Sequence, residues 1–273
     1  MQELKFSKYH GCGNDFVIVE NQINDLSKLA KDICERNTGV GADGLINVDT
    51  TSITMDFYNQ DGSTGTMCGN GLRSLSAYLL DKQIVKENHF TVFTKAGEMQ
   101  VEVLDMMQSL FKINLGLPSF DCTKLQIKVA KPTFIEQRID YQNQPYICYA
   151  VMIGVKHLVI YVDDLEKITN DIGEYFSHYP LFEDSINVDF VKIKNENEIY
   201  LKTYERGVGF TKACGTGAAA SFIITNKYKH SSGYMRVTMD IDSLDLTMND
   251  KKEIIMIGSA AKICDGTYIW RNK

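Results

Sequence analysis

The chain has 273 residues, a formal charge of −6 and 44% apolar residues, enough for one large domain or two ordinary ones with a sizeable core. An acidic balance without a basic stripe argues against a nucleic-acid partner. The longest apolar runs, such as Ile254-Ile255-Met256-Ile257, are strand-length and too short to cross a bilayer, and the N-terminus lacks the apolar core of a secretory signal, so the expected setting is cytoplasmic.

In chain order, Phe16 to Glu20 reads as a strand and Leu26 to Arg36 as a helix, with Leu26, Leu29, Ala30 and Ile33 on one face. Leu45 to Val48 and Ile53 to Tyr58 read as strands. The tract Asn59 to Gly71 is rich in Asp-Gly, Thr-Gly and Gly-Asn-Gly steps and must turn before a helix running to about Leu80. Phe90 to Thr94, Glu98 to Leu104 and Leu110 to Leu115 read as a meander. Val159 to Val162, Phe190 to Lys194 and Ile199 to Tyr204 then repeat the strand pattern. A turn-rich stretch, Glu205 to Gly217, precedes a helix to about Asn226 and strands at Met235 to Met239 and Ile254 to Ile257.

This repetition is the most informative feature. A shift of 146 residues places Tyr58 on Tyr204, Cys68 on Cys214, Gly69 on Gly215, Gly71 on Gly217 and Asp43 on Asp189. A shift of 143 lays Asn14 to Val19 over His157 to Val162. The expected fold is therefore α/β (α+β), with two pseudo-symmetric domains from an internal duplication. The division is expected near Leu117: residues 1–117 form the N-terminal half and 118–261 the C-terminal half, with 262–273 returning to the first.

The seven cysteines are odd in number and scattered, without Cys-x-x-Cys or zinc spacing, so neither a disulfide framework nor a metal site is expected. Cys68 and Cys214 differ from the rest. Each precedes Gly-x-Gly and an apolar helical run, which puts a thiol at a helix N-terminus. Unpaired N–H groups and the positive end of the helix dipole meet there, favouring the thiolate. The amides that follow, with no bulky side chain at Gly69 and Gly215, can receive a carboxylate at the same place. Two such ends facing one another could clamp one carboxylate. If it belongs to an α-amino acid, donors aimed at its oxygens stabilise the carbanion left when one thiolate removes the α-proton. The opposite thiol returns a proton to the other face.

Gly39-x-Gly41-x-x-Gly44 matches a dinucleotide fingerprint but follows a helix instead of a strand, so it reads as turn glycines. Glu205-Arg206 stands either as an ordinary exposed ion pair or as a substrate contact, with Arg206 suited to bidentate pairing with a second carboxylate and Glu205 to an ammonium or a thiol. His157 stands either as a core-edge histidine or as a partner tuning one cysteine, and Asn14, Asn59 and Asn187 as turn formers or substrate contacts.

Taken together, Lys8 to Phe16, Gly39 to Gly44, Asn59-Gln60-Asp61-Gly62-Ser63, Cys68 to Gly71, Tyr204 to Gly207 and Ala213 to Gly217 resemble the diaminopimelate epimerase family, in that family's order and over nearly the whole chain. The resemblance implies two curled sheets, each around a central helix, an active site in the cleft between domains that closes on substrate, and no cofactor. It implies interconversion of LL- and meso-diaminopimelate in the pathway to lysine and peptidoglycan. Cys68 and Cys214 correspond to the acid/base pair, with Gly69, Asn70, Gly215 and Thr216 at the reacting carboxylate. Asn14, Asn59, Asn187, Glu205 and Arg206 correspond to residues reading the rest of the substrate, and His157 and Glu205 to side chains beside the cysteines.

Two departures stand out. The family's Gly-Asn-Pro-His reads Gly154-Val155-Lys156-His157 here, and its late Pro-Gly-Gly step is absent near Ile241-Asp242-Ser243. Val155 cannot hydrogen-bond the distal end of diaminopimelate. A cofactor-independent racemase of another amino acid is thus the alternative, and a non-catalytic amino-acid-binding protein a third reading that the duplicated cysteine disfavours. The expected partner is a small amino acid, with neither nucleic acid nor membrane, and a homodimer is the assembly allowed for.

Overall fold

The structure is a computed structural model that describes residues 1–20, 23–229 and 232–271. The chain divides into two compact units, Met1–Asn114 with Ile257–Lys273, and Leu115–Met256. Among the described residues no helix is long and apolar enough to cross a membrane.

In the first unit β1 (Gln2–Gly11), β2 (Asn14–Val19), α1 (Leu26–Cys34), β3 (Gly44–Asp49), β4 (Thr54–Asn59), β5 (Thr64–Gly65), α2 (Gly69–Asp81), β6 (His89–Thr94) and β7 (Gly97–Asp105) follow in order. The division falls within β8 (Leu110–Gly116). β1–β2 is antiparallel, β2–β3 parallel and β3–β4 antiparallel. β4 then carries β5 antiparallel and β6 parallel, and β6–β7 is antiparallel.

The second unit contains α3 (Cys122–Leu125), β9 (Gln137–Tyr141), β10 (Gln144–Ile153), β11 (Val155–Tyr161), α4 (Asn170–Ser177), β12 (Asn187–Asn195), β13 (Glu198–Glu205), β14 (Gly209–Thr211), α5 (Gly215–Tyr228), β15 (Tyr234–Thr238) and β16 (Ser243–Met248). From β10 to β16 its pairings have the same senses, in the same order, as those from β1 to β7. Finally β17 (Ile254–Ser259) leads the chain back, and β18 (Ala261–Trp270) pairs antiparallel with β1.

Local chemistry explains the layering. β2, β3 and β11 are buried along almost their whole length, as strands with parallel neighbours and cover on both faces must be. On one face of the first unit Leu29, Ala30 and Ile33 of α1 pack with Val17, Val19 and Leu45. In the second unit Ile172 and Phe176 of α4 pack with Leu158, Ile160, Val188 and Phe190. On the other face each sheet curls against its central helix. α2 is buried without a break from Gly69 to Leu79, and α5 from Gly217 to Thr225. Ala218, Ala219 and Ala220 let the sheet approach α5 closely, and Ser76 and Thr225 return their hydroxyls to carbonyls four residues back.

The strand registers correct two equivalences expected between the halves. Ile46 pairs with Phe57, and Asp189 with Thr203, so Asp189 occupies the place of Ile46, not of Asp43. Phe16 pairs with Gly44, and His157 with Asn187; His157 therefore occupies the place of Phe16, and Val155 that of Asn14. The connections between paired strands differ in length. Cys12 and Gly13 join β1 to β2, whereas Gly154 alone joins β10 to β11, and no single shift can follow both halves.

Candidate active site

Each central helix begins on a cysteine. Cys68 is the N-cap of α2, and its sulfur accepts from the Gly71 amide at 3.4 Å. Cys214 is the N-cap of α5, and its sulfur accepts from the Gly217 amide at 3.4 Å. Both caps are extended in backbone conformation, as a capping residue must be. First-turn helix geometry leaves the amides of Gly69 and Asn70, and of Gly215 and Thr216, without intrahelical partners beside each thiol.

In the first unit a chain of amides fixes what surrounds Cys68. Arg73, wholly buried, donates to Asn70 Oδ1 at 2.8 Å and to the carbonyl of Ser259 at 3.1 Å. The amide nitrogen of Asn70 is thereby turned to Asn14 Oδ1, at 3.3 Å. Asn14 in turn donates to Asp43 Oδ2 at 2.7 Å. Its oxygen is left facing the Cys68 sulfur at 3.9 Å. Behind this chain Asp15 holds Lys8 at 2.8 Å and Arg36 at 3.0 Å, while Arg36 also reaches Asp43 at 2.6 Å. Burial works to raise the Asp15 carboxyl, but hydrogen bonds from Arg36 and Lys8 outweigh it and hold the group below the usual carboxylate range.

The second unit is built otherwise. His157 Nδ1 lies 2.8 Å from Asp189 Oδ2, and both side chains are wholly buried. Thr203 donates to the other oxygen of Asp189 at 2.8 Å. His157 Nε2 lies 3.0 Å from Thr216 Oγ1, which lies 3.5 Å from the Cys214 sulfur. Glu205 accepts from Thr211 at 2.6 Å and hydrogen-bonds with Cys214. Burial pushes the Glu205 carboxyl up.

The thiolate expected at both helix ends does not describe Cys214. Burial foremost, then the Glu205 and Asp189 carboxylates, push this thiol well above the ordinary range. The hydrogen bonds from Thr216 and Gly217 oppose that only in part. Removing a charge from water costs more here than one helix terminus returns.

The site residues expected from sequence thus fall into two sets. Cys68, Gly69, Asn70 and Asn14 meet in the first unit. Cys214, Gly215, Thr216, His157 and Glu205 meet in the second. Asn187 Oδ1 accepts from the Arg206 amide at 3.0 Å, while the Arg206 side chain is exposed. Asn59 ends β4 and donates to Ser63 at 2.9 Å. Gly41, in a left-handed turn, and Gly39 close the end of α1 against carbonyls of Ile33 and Glu35. Sequence reasoning missed Arg73 and the partnership of Asp189 and Thr203 with His157. A carboxylate inside the apolar run Val188-Asp189-Phe190-Val191 was the available signal, because an aspartate is rarely buried unless paired.

The sequence model of diaminopimelate epimerase matches residues 6–120 and 149–263. The chain belongs to the diaminopimelate epimerase family. It is accordingly an isomerase of the epimerase type. It is 34% identical over 278 residues to the diaminopimelate epimerase of Alkaliphilus metalliredigens, covering 98% of each chain. It is 35% identical over 285 residues to that of Bacillus cytotoxicus, covering 99% of each. Among solved structures, a phenazine biosynthesis protein of the PhzF family from Bacillus anthracis superposes with a TM-score of 0.69 at 14% identity, over 99% of this chain and 100% of that one. A hydroxyproline epimerase from Agrobacterium vitis gives a TM-score of 0.67 at 11% identity, over 98% and 91%. These two likenesses show the α+β fold.

Proposed function

We propose that this family member interconverts LL- and meso-diaminopimelate without a cofactor, by two-base proton transfer at the α-carbon between Cys68 and Cys214. The observation that carries the reading is the duplicated cap: each half of the chain begins its central helix on a cysteine whose sulfur takes the amide three residues on. The reaction needs two groups of the same kind that exchange the roles of base and acid, one for each direction. It also needs donors at the substrate carboxylate, where negative charge gathers once the α-proton leaves, and first-turn amides supply them.

Gly69, Asn70, Gly215 and Thr216 would hold that carboxylate. Arg206 suits the distal carboxylate, with Asn14, Asn59, Asn187 and Glu205 reading the remaining polar groups. His157 and Glu205 act beside Cys214, which rests as the thiol, the acid of the pair. The substrate is a small amino acid, the setting the cytoplasm, and the product a precursor of lysine and peptidoglycan.

Val155 supports a second reading. It occupies the second unit's counterpart of Asn14, half-buried beside His157, and brings a methyl surface where an asparagine would bring donor and acceptor. A racemase acting on a different amino acid would fit that change. Incorporation of α-deuterium in deuterated water separates the two, using LL-diaminopimelate and a panel of other amino acids. Exchange with diaminopimelate above all others supports the first reading. Exchange with another amino acid and none with diaminopimelate overturns it.

A further inference from the structure

We propose that Asp189 is a positioning residue, acting through His157 so that the Thr216 hydroxyl carries a proton between Cys214 and the imidazole; this rests on the reading of Cys214 as an acid/base residue.

Four groups stand in line: the Cys214 sulfur, Thr216 Oγ1 at 3.5 Å, His157 Nε2 at 3.0 Å from that hydroxyl, and Asp189 Oδ2 at 2.8 Å from His157 Nδ1. A carboxylate is acceptor-only. Facing Asp189, His157 Nδ1 carries a proton, and in the neutral tautomer this leaves Nε2 to accept. The Thr216 hydroxyl then donates to Nε2 and takes the S–H of Cys214 on its own lone pair. The bonding also reads consistently the other way. If the sulfur gives its proton to Thr216 Oγ1 and that hydroxyl gives its own to Nε2, the products are a thiolate and an imidazolium. Nε2–H then donates to the hydroxyl, the hydroxyl donates to sulfur, and Asp189 still accepts from Nδ1. The S–H bond and the original O–H bond break, and a new O–H bond and an Nε2–H bond form. The net change is one proton moved from sulfur to Nε2, and no group is left unpaired.

Such a wire answers the difficulty Cys214 presents. Burial and two carboxylates hold it as a thiol, yet the reverse reaction requires it as a base. Acting on the sulfur are Glu205 from β13, Asp189 from β12, and Thr216 with the Gly217 amide from α5, while His157 from β11 reaches it through the Thr216 hydroxyl. Of the groups in line, the His157 imidazole is the one with a ring nitrogen placed to take the proton, and Asp189 lies 2.8 Å from its other nitrogen.

Two further observations show that Asp189 is built into this place. A Cβ on Gly217 would stand 2.4 Å from Asp189 Oδ1 and 2.8 Å from Thr203 Oγ1. The carboxylate thus sits against the first turn of α5, in space that a glycine leaves open and where the helix dipole favours it. The other half serves as an internal control. By strand register and by the cysteine loops, Phe16, Ile46, Phe57 and Asn70 stand where His157, Asp189, Thr203 and Thr216 stand. Phe16 and Phe57 pack edge to face at 5.9 Å, and Ile46 lines Gly71. A core that packs with aromatic and aliphatic side chains in one copy is replaced by a connected polar set in the other, beneath the same capping cysteine.

The test reads Cys214 directly. In protein carrying Cys264→Ser, which removes an exposed thiol, iodoacetamide labelling of Cys214 is followed against pH by mass spectrometry, with kcat and KM measured alongside. Asp189→Asn is expected to move the labelling midpoint to higher pH and to lower kcat by about 10²–10⁴-fold with KM little changed, as when a histidine is held in the wrong tautomer. If Asp189 acted only as a nearby negative charge, the midpoint would move to lower pH, and that result overturns the proposal. Thr216→Val is expected to follow Asp189→Asn, and Thr216→Ser to keep the wild-type midpoint. The threonine pair decides the matter if Asp189→Asn does not fold. Should Thr216→Val match the wild type in both readouts while Cys214→Ser is inactive, the wire is overturned and the two-thiol reading stands. Full turnover by Cys214→Ser would instead overturn the two-thiol reading itself.

Discussion

The carboxylate of Asp189 and the imidazole of His157 meet at 2.8 Å in the buried interior of the second unit, at positions where the first unit carries Ile46 and Phe16. A duplication that kept both capping cysteines therefore did not keep what lies beneath them. Cys68 faces an amide oxygen held in place by Asn70, Arg73 and Asp43. Cys214 faces a hydroxyl joined to an acid–imidazole pair. Both sulfurs are capped alike by an amide three residues on, but their protonation is governed by different chemistry.

Gly217→Ala is expected to be far more damaging than Gly71→Ala. The new methyl at 217 would overlap Asp189 Oδ1 at 2.4 Å, whereas at 71 it would meet nothing nearer than the Met55 methyl at 3.2 Å, with the end of Ile46 and the Cys68 Cβ both at an ordinary 3.4 Å. Displacing Asp189 by about 1 Å should cost about 10²-fold in kcat. Turnover and thermal melting of the two variants check this. Equal activity would show that the space before Asp189 is not critical.

Acid should act on the first unit through Asp15. Its carboxyl is held below the usual range in the folded chain, so its contribution is fully present above the unfolded carboxyl pKa of about 4 and is lost as pH falls through the folded value. Asp15→Asn should be less stable than the wild type near neutrality and should lose less stability below about pH 4. Urea titrations across that window measure both effects. Parallel stability curves would contradict the assignment.

Alkylation under native conditions should separate the cysteines by burial. Burial pushes Cys34 and Cys148 up to about 12, so at neutral pH both should resist iodoacetamide. Cys264 is exposed and Cys68 half-buried; these two should be labelled first. Peptide mapping after brief labelling gives the order, and early labelling of Cys34 or Cys148 would show that the interior opens readily.

Val155→Asn should raise kcat/KM for diaminopimelate by about tenfold, the worth of one added hydrogen bond to a polar substrate end. Its neighbour Lys156 lies buried, donating to Gln126 at 3.0 Å and to the Glu183 carbonyl. Burial and then the Arg206 charge hold that ammonium below the ordinary lysine range, and the start of β11 places a lysine where the family pattern has proline. No gain from Val155→Asn would place the substrate's distal end elsewhere.

Much of the fold was legible in the chain. The capping cysteines announced themselves by the glycines after them, and the hairpins before each helix by their turn residues. Strand β1 escaped notice because Ser7, not an apolar residue, fills one of its buried positions, bonded to Asp265 of β18, and its pairing with β18 slips between Lys8 and Tyr9. Both features blur the alternation that reveals a strand. Helix α4 is short, and the pair Ile172 and Phe176 gives it only one turn of periodicity. Equivalences across the duplication failed for a sharper reason. The offset between equivalent residues grows from 141 at Phe16 and His157 to 143 at Ile46 and Asp189 and 146 at Phe57 and Thr203. Such slips move side chains to other partners, which hid the replacement of Phe16 and Ile46 by His157 and Asp189.

The central claim, that both capping thiols serve one α-carbon, is tested most directly by Cys68→Ser and Cys214→Ser, assayed for interconversion of LL- and meso-diaminopimelate with folding verified by thermal melting. Each should lose about 10²–10⁴-fold or more in kcat in both directions while melting like the wild type. Interconversion at the wild-type rate by either variant would contradict the account.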